Sequence, residues 1–401
     1  MTKQMSLRFS FCQLLTLVIM IWNGPFEDPL IRRFDRVLAL EAEATTSAGV
    51  SVGDVDGDGK LDILLAKGRH WPEKNQLMLG NGKGKFFVSD VAGEGDRTYS
   101  TALADLNGNG LLDLVVSNDR PDRKRIYFND GKGGFSESEV FGDPRWPTRY
   151  VTLADLNGNG LPDIVVANRN GTRANRSIPC YVCFNDGMGG FFDCRPLLSE
   201  SSTIIVAADL DGNGAIDLFL PHRDGGPSRV LWNDAQGGFS ESIILGPEQS
   251  RTRVAASADL NGDGLSDLIV GGTDGNGIDI YLNLGNRKFA EPVQLGSKER
   301  EPYSVAVADL NQNGHPDVIV GYRSGRGAIF FNDGSGSNFI ETKWNDGVGA
   351  VYGIAVGDFN GDGWPDIVTA RSGGVNALWF SEPVLDKQHV EGNRDADGES
   401  D

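Results

Sequence analysis

The chain has 401 residues, 39% of them hydrophobic, and its 54 glycines favour a fold with many turns and short strands. Its formal net charge of −19 argues against electrostatic binding of nucleic acid, because neutralising phosphates requires clustered Lys and Arg. Intrinsic disorder is also disfavoured, since apolar and aromatic residues recur along most of the chain.

The first 26 residues are predicted to be a secretory signal peptide or an uncleaved N-terminal anchor. Lys3 and Arg8 precede an apolar run over residues 9–22, an arrangement typical of secretory signals. The run is short for a membrane span, which needs about 20 apolar residues, but no small-residue cleavage site stands out after it. Cleavage and retention both stay open. We expect the protein to be secreted, periplasmic or on the cell surface, in contact with a membrane only through this segment.

The same nine-residue acidic pattern recurs seven times in the rest of the chain, at intervals of 49–54 residues. Its copies begin at Asp54, Asp105, Asp155, Asp209, Asp259, Asp309 and Asp358. A nearly constant period of this size indicates one supersecondary unit per repeat, each burying its apolar face against its neighbours. The sequence thus predicts one array or closed ring, although its length alone would allow two or three domains.

Each repeat unit is predicted to contain four antiparallel strands. In the second unit a strand of small residues, 102–104, precedes the acidic pattern, and a β-branched strand, 114–116, follows it. A third strand, 126–128, leads to the turn 129–134, whose Asn-Asp-Gly sequence suits the positive φ angles of a hairpin, and Phe135 opens a fourth strand. Such units form the blades of a β-propeller. The small residues support this prediction, because the innermost strands of a propeller converge near its axis.

Three cysteines lie in the third unit. If residues 185–190 form a hairpin turn, Cys180 lies nearly opposite Cys194. That placement predicts a cross-strand disulfide in an oxidising compartment and leaves Cys183 as a buried thiol. A zinc site at the Cys-x-x-Cys sequence is disfavoured, because a second pair of ligands is missing.

The last unit lacks a fourth strand of its own. Its third strand, 377–380, runs on without the usual turn and phenylalanine, whereas residues 34–41 precede the first acidic pattern as a fourth strand would. We predict that this N-terminal strand pairs with 377–380, which closes the ring and removes an exposed sheet edge. The predicted layout is a propeller over 27–385 followed by an acidic, disordered tail over 386–401.

The repeated pattern, Asp-x-Asp/Asn-x-Asp/Asn-Gly-x-x-Asp, predicts a calcium-binding loop between the first and second strands. Oxygen side chains at alternate positions of a tight loop converge on one point, the glycine permits the turn, and the last carboxylate closes a cage that selects a hard cation. An EF-hand is excluded, because its twelfth position, normally Glu, is here Leu65 or Val116 inside a strand. Plain polar turns would not keep one spacing through seven copies.

The predicted ligands for up to seven Ca²⁺ ions are Asp54, Asp56, Asp58, Asp62, Asp105, Asn107, Asn109, Asp113, Asp155, Asn157, Asn159, Asp163, Asp209, Asp211, Asn213, Asp217, Asp259, Asn261, Asp263, Asp267, Asp309, Asn311, Asn313, Asp317, Asp358, Asn360, Asp362 and Asp366.

The acidic loop, together with the Asn-x-Gly-x-Gly-Phe type of turn, resembles the FG-GAP or VCBS-type repeat of integrin α-subunit propellers and related secreted proteins. The resemblance covers about residues 34–381. It implies an all-β, seven-bladed β-propeller with four antiparallel strands and one calcium loop in each blade, and calcium that is mainly structural. The chain departs from the usual pattern in carrying a loop in all seven units and at Gln312, which replaces a glycine in the sixth loop.

The connections at the opposite end of the units from the acidic loops are rich in arginine and aromatic residues. In a chain this acidic, the grouping favours an anionic partner, because guanidinium groups pair bidentately with carboxylate or sulfate. The alternative is that these cations are solvated and only balance an acidic protein. The residues concerned are Arg69, His70, Trp71, Arg97, Tyr99, Arg120, Arg123, Trp146, Arg149, Tyr150, Arg169, Arg173, Arg176, His222, Arg223, Arg251, Arg253, Tyr303, Tyr322, Arg323, Arg326, Tyr352 and Arg371.

Two classes of function are compatible with these features. The favoured one is a secreted binding or adhesion module without catalytic residues, which binds an extracellular glycan or protein through this rim or the axial mouth. The alternative is a polysaccharide-active enzyme, such as a lyase on a uronic-acid polymer, which needs an arginine to neutralise the carboxylate and a Tyr or His base. Tyr150 with Arg149, or His222 with Arg223, are the candidate pairs. The fold alone does not decide between the classes.

Overall fold

The computed structural model describes residues 31–91, 93, 95–136, 139–170, 177–198, 201–273 and 277–384. The predicted signal or anchor over 1–26 and the predicted tail over 386–401 lie outside these residues, as do Arg173 and Arg176. The described residues form 29 strands and no helix, so none of them belongs to a helix that could span a membrane. The predicted all-β class is confirmed.

The strands repeat in groups of four, which we call units one to seven. The first strands are β2 (Thr45–Gly53), β6 (Thr98–Ala104), β11 (Thr148–Ala154), β15 (Val206–Ala208), β19 (Thr252–Ala258), β23 (Pro302–Ala308) and β27 (Ala350–Gly357). The second strands are β3 (Asp62–Lys67), β7 (Asp113–Asn118), β12 (Asp163–Asn168), β16 (Asp217–Leu220), β20 (Asp267–Gly272), β24 (Asp317–Tyr322) and β28 (Asp366–Gly374).

The outer strands of each unit follow the same order. The third strands are β4 (Gln76–Gly80), β8 (Lys124–Asn129), β13 (Tyr181–Phe184), β17 (Arg229–Trp232), β21 (Gly277–Tyr281), β25 (Gly327–Asn332) and β29 (Ala377–Pro383). The fourth strands are β5 (Phe86–Asp90), β9 (Phe135–Ser136) with β10 (Val140–Phe141), β14 (Asp193–Pro196), β18 (Glu241–Ile244), β22 (Val293–Leu295), β26 (Phe339–Trp344) and, for unit seven, β1 (Arg32–Ala39).

The N-terminal strand completes the last unit. β1 pairs antiparallel with β29, with Arg36 opposite Phe380 and Ala39 opposite Ala377. The pairing predicted from the missing fourth strand is therefore confirmed. β2 also pairs with β28 over a short stretch, so that units one and seven share one eight-stranded sheet.

The first strands lie side by side in chain order. Each contacts the first strand of the next unit, and β27 contacts β2. Their small residues permit this approach: a Cβ added to Gly353 would lie 3.0 Å from the Cα of Gly49. Larger side chains at these two positions would push the first and last units apart.

The hydrophobic core lies between neighbouring sheets. Every residue of β7, β12 and β24 is buried, which explains why second strands read as continuous apolar runs rather than alternating ones. Apolar clusters combine adjacent units, as where Ile269 of unit five packs in one cluster with Val318 and Phe330 of unit six. Each sheet therefore depends on its neighbours for burial.

The predicted disulfide partner of Cys194 was wrong. The disulfide joins Cys183 to Cys194, and Cys180 is a buried thiol. β13 and β14 pair so that Phe184 lies opposite Asp193, which puts Cys183 directly opposite Cys194. The connection between these strands is longer than the hairpin assumed from the Asn-Asp-Gly sequence, and the register shifts by three residues.

A buried ion pair lies where units one and seven meet. Glu41, between β1 and β2, contacts Nζ of Lys67 in unit one, and the two side chains are only 8% and 6% exposed. The same carboxylate accepts hydrogen bonds from Asn376 of unit seven and from Thr45. Glu41 thus connects units one and seven at the point where β1 enters β2.

Substituting Glu41→Gln is expected to destabilise the protein by about 2–3 kcal/mol. Removing one partner of a buried ion pair costs roughly 3–5 kcal/mol, and glutamine keeps part of the hydrogen bonding to Asn376. Urea denaturation measures the change. Glu43→Gln is the matched control, because Glu43 is exposed and its substitution is expected to cost less than about 0.5 kcal/mol. Equal effects of the two substitutions would contradict a role for Glu41 in connecting units one and seven.

Candidate functional site

The seven acidic loops share one hydrogen-bonded backbone geometry. In each, the first aspartate accepts the backbone N–H of the glycine five residues later at 2.7–2.9 Å. In unit five, Asp259 also accepts the N–H groups of Gly262 and Asp263. These bonds hold the side chains at alternate positions on the inside of the loop. Gln312 adopts φ 56°, the left-handed conformation of the glycine it replaces, and its Nε2 donates to the carbonyl of Gly363 in the next unit.

The last aspartate of each loop, which we call the closing aspartate, ties the loop to its own sheet. Its Oδ2 accepts the N–H of the residue after the first aspartate at 2.7–3.2 Å. Its Oδ1 accepts the N–H of a residue close to the end of the third strand at 2.7–2.9 Å. The closing aspartates are Asp62, Asp113, Asp163, Asp217, Asp267, Asp317 and Asp366.

Burial raises the pKa of every closing aspartate. The pKa rises to about 6 in Asp267 and Asp366 and to about 7 in Asp317. The pKa of each of the other four is also raised. Desolvation is the main cause, because it penalises the charged form. A cation beside these carboxylates would favour that charged form and offset the penalty.

Asparagines that begin five of the third-to-fourth strand turns connect neighbouring acidic loops. Nδ2 of Asn283 donates to the carbonyl of Leu210, in the loop of the preceding unit, at 2.8 Å, and to Ser266 in its own loop at 3.0 Å. Asn129, Asn185, Asn233 and Asn332 make the same pair of bonds. The sequence prediction gave these residues only a turn-forming role. The recurrence of asparagine at the first position of five turns was the sequence signal that could have indicated this second role.

The acidic loops have the donor chemistry of a calcium site. Carboxylate oxygens of Asp54, Asp56 and Asp58 all lie within 4.8 Å of one another, and so do those of Asp209, Asp211 and Asp217. Side-chain oxygens alone converge there, which suits Ca²⁺ rather than a softer metal. Local cations already contact two of these carboxylates: Lys60 binds Asp58 at 2.5 Å, and Arg287 binds Asp211 at 2.9 Å. Calcium binding at the 28 predicted ligands stays a prediction.

A cavity of about 360 Å³ lies at the other end of the first strands. Most of its lining residues lie at the start of a first strand or just after the end of a second strand. The acidic loops join the end of each first strand to the start of the second, so they lie at the opposite end of the units. All seven units contribute to its wall. Ten of the predicted rim residues line it, namely Arg69, His70, Tyr99, Arg149, Tyr150, Arg169, Arg223, Arg253, Tyr303 and Tyr352. We call this the axial cavity.

Arginine and tyrosine side chains stack on one another around the axial cavity. The guanidinium of Arg253 lies 3.6 Å from the ring centre of Tyr303, and that of Arg69 lies 4.2 Å from the ring centre of Tyr352. The two tyrosine rings meet edge to face at 5.1 Å. Arg149 stacks on Tyr99 in the same way at 4.2 Å. These contacts hold the cationic groups in fixed positions.

The five arginines of the axial cavity differ in how they are neutralised. Arg149 pairs with Asp119 at 2.7 Å, and Arg169 pairs with Asp224 at 2.8 Å. Burial raises the pKa of Asp224, but hydrogen bonds from Arg169 and Ser201 and the nearby charge of Arg223 lower it overall. Within the described residues, Arg69 and Arg253 form no ion pair, and the Nε of each is buried without a hydrogen-bond partner.

Several other predicted rim residues have structural roles instead. Trp146 stacks on Tyr181 at 4.0 Å in the core, and Tyr322 is buried beneath Arg300. Arg371 is buried and donates to Asp346. Sequence spacing marks the end of the unit on which a residue lies, but not whether its side chain turns toward the axis.

The two candidate acid–base pairs differ in their position relative to the axial cavity. Tyr150 and Arg149 both line the axial cavity, but burial raises the pKa of Tyr150, which disfavours it as a base at neutral pH. His222 is outside the lining, and its Nδ1 accepts the N–H of Asp224 at 3.3 Å. Of the two pairs, only Tyr150 with Arg149 therefore lies in the axial cavity.

Comparisons with known proteins agree with this architecture. The family described as FG-GAP-like repeat matches residues 54–116, 105–166, 209–270, 259–320 and 309–369. No curated protein sequence matches the chain.

Two solved structures have a similar fold. A lectin of Agrocybe aegerita that recognises non-reducing terminal N-acetylglucosamine is 21% identical, with a TM-score of 0.54 over 76% of this chain and 81% of the lectin. BBS1N, in a complex with ARL6DN, is 12% identical, with a TM-score of 0.58 over 89% of this chain and 97% of BBS1N. At these identities the likeness concerns the fold alone.

Proposed function

The chain belongs to the FG-GAP-like repeat family, and on that basis we propose that it is a calcium-braced, seven-bladed β-propeller acting as a secreted or surface-exposed binding module for acidic glycans. Three observations support a closed ring. The chain forms seven four-stranded units, the first strand of each unit contacts the first strands of both neighbouring units, and the N-terminal strand pairs with β29. The disulfide between Cys183 and Cys194 supports an oxidising compartment outside the cytosol.

Calcium would be held by the carboxylate and amide oxygens of the seven acidic loops. The ion supplies positive charge that offsets repulsion between the converging carboxylates. Because turn asparagines and Gln312 link consecutive loops, fixing one loop also restrains its neighbour. Calcium bound in one loop would therefore also restrict the motion of the loop in the next unit.

The observation that carries the binding proposal is the arginine-rich axial cavity in a chain of net charge −19. Five arginines, contributed by units one, three, four and five, lie together at one end and produce a local field opposite in sign to that of the whole protein. The lectin with the same fold binds a sugar, which makes a glycan the natural class of ligand to test. The cationic wall adds the requirement that the glycan be acidic.

A glycan array probed with and without calcium tests this function. We expect binding to glycans that carry uronate or sulfate, little binding to neutral ones, loss of binding after chelation and weaker binding as NaCl is raised, because salt screens charge. Equal binding to neutral and acidic glycans, or none to acidic glycans, would contradict the proposal. Bound uronate polymers are also assayed for new unsaturated ends, whose appearance would favour the lyase alternative over a pure binding module.

A further inference from the structure

Two arginines of the axial cavity, Arg69 and Arg253, are held in place without a counter-charge. Their guanidinium groups share one aromatic ring, since they lie 4.2 and 5.3 Å from the ring centre of Tyr352. In the described part of the chain neither has an ion pair, and each has a buried Nε that donates to nothing. Buried donors normally have a partner, so each exception needs an explanation.

The surroundings make both charges costly. The pKa of Arg253 is lowered to about 10, mainly by burial; Tyr303 raises it, and the nearby cations Arg223, Arg169 and Arg69 add to the lowering. Burial also lowers the pKa of Arg69. An arginine that only braced the fold would be stabilised by a carboxylate, as Arg149 is by Asp119. Two adjacent, uncompensated guanidinium groups instead favour an anion from outside the chain.

The axial cavity limits the size and chemistry of that anion. Its volume of about 360 Å³ is near the lower end of the range for small-ligand pockets, about 300–1,000 Å³, which suits a group no larger than one or two sugar rings. Hydroxyl-bearing residues such as Thr101, Thr203 and Ser304 form part of the wall. A hydrophilic ring that carries an oxyanion fits such a wall better than an apolar ligand does.

We propose that Arg69 and Arg253 form an oxyanion subsite in the axial cavity, which binds the carboxylate or sulfate of a single acidic sugar unit. Each guanidinium presents donors in a planar fork that matches either oxyanion. The proposal rests on the glycan-binding function given above and deepens it, because it names the group that is recognised and the two residues that recognise it.

Calorimetric titration with sodium glucuronate, glucose 6-sulfate and glucose tests the subsite directly. We expect saturable binding of one or both acidic sugars and none of glucose, and the comparison of the two acidic sugars decides whether carboxylate or sulfate is preferred. Substituting Arg253→Gln is expected to weaken binding at least about tenfold, the loss usual for a desolvated charge pair. Arg253→Lys keeps the charge but loses the fork and should weaken binding less.

Arg145→Gln is the matched control, since Arg145 is 86% exposed and pairs with Asp143 outside the cavity. The Arg145→Gln protein is expected to bind the acidic sugars as tightly as the unsubstituted protein does. The melting temperature of Arg253→Gln should stay unchanged or rise, because an uncompensated buried charge is removed. If this variant fails to fold, Arg69→Gln tests the same subsite. Unchanged binding in a folded variant at either position, or no binding of either acidic sugar to the unsubstituted protein, would overturn the proposal.

The two proposals can fail separately. Glucuronate binding that depends on Arg253, without binding of any glycan on the array, would remove the glycan-module function and keep the subsite. Array binding that is unaffected by Arg253→Gln would keep the function and remove the subsite.

Discussion

Removing calcium is expected to lower the melting temperature of the protein by more than about 10 °C. A site saturated at 100–1,000 times its dissociation constant adds about 2.7–4.1 kcal/mol of stability, and 1 kcal/mol corresponds to about 2–4 °C in domains of 150–250 residues. Several such sites therefore produce a large combined shift, even though a longer chain responds less to each. Without the cation, the three carboxylates of Asp54, Asp56 and Asp58 lie within 4.8 Å of one another and repel.

Thermal unfolding followed by circular dichroism, with and without a chelator, measures this shift. Adding back excess calcium should restore the original melting temperature. Magnesium should restore it less, because Mg²⁺ demands a tighter octahedral geometry than these loops impose. A melting temperature that is the same in chelator and in calcium would refute a structural metal.

Substituting a closing aspartate is expected to have the largest effect of any single change in an acidic loop. Asp267 is fully buried, and its two oxygens accept the N–H groups of Leu260 at 2.9 Å and Asn283 at 2.7 Å. Asp267→Ala leaves both donors buried and unpaired, at roughly 1–3 kcal/mol each. We therefore expect a loss of about 4 kcal/mol in the free energy of unfolding, measured by urea denaturation.

Asp234→Ala is the matched control for Asp267→Ala. Asp234 also accepts two backbone N–H groups, those of Gln236 and Gly238, but it is exposed, so water can replace the lost acceptor. Its substitution should cost about 1 kcal/mol or less. The loss in Asp267→Ala should persist in chelator, because the hydrogen bonds do not require the metal. If Asp267→Ala costs no more than Asp234→Ala, the closing aspartates do not tie the loops to the sheets.

Much of the fold could be predicted because it depends on features that repeat. The spacing of the acidic pattern, the small residues of the first strands and the missing fourth strand of the last unit together predicted the pairing of β1 with β29. That pairing follows from counting strands and needs no knowledge of side-chain positions.

Features that depend on exact register or on side-chain direction could not be predicted in this way. The disulfide was assigned to Cys180 instead of Cys183, because the connection between β13 and β14, residues 185–192, is longer than the hairpin that its Asn-Asp-Gly sequence suggests. Among the rim residues, nothing local separates Arg253, which faces the axis, from Trp146, which stacks in the core on Tyr181. Which side chains meet at the axial cavity depends on how the seven units pack together, and this cannot be read from any single repeat.

The metal content of the purified protein decides whether calcium ions seated in the seven acidic loops brace the ring. Mass spectrometry of the intact folded chain, under conditions that keep metals bound, counts the ions on each molecule. We expect a calcium complement that approaches seven, with successive losses as chelator is added. Folded protein that carries no calcium in a calcium-containing buffer would contradict it.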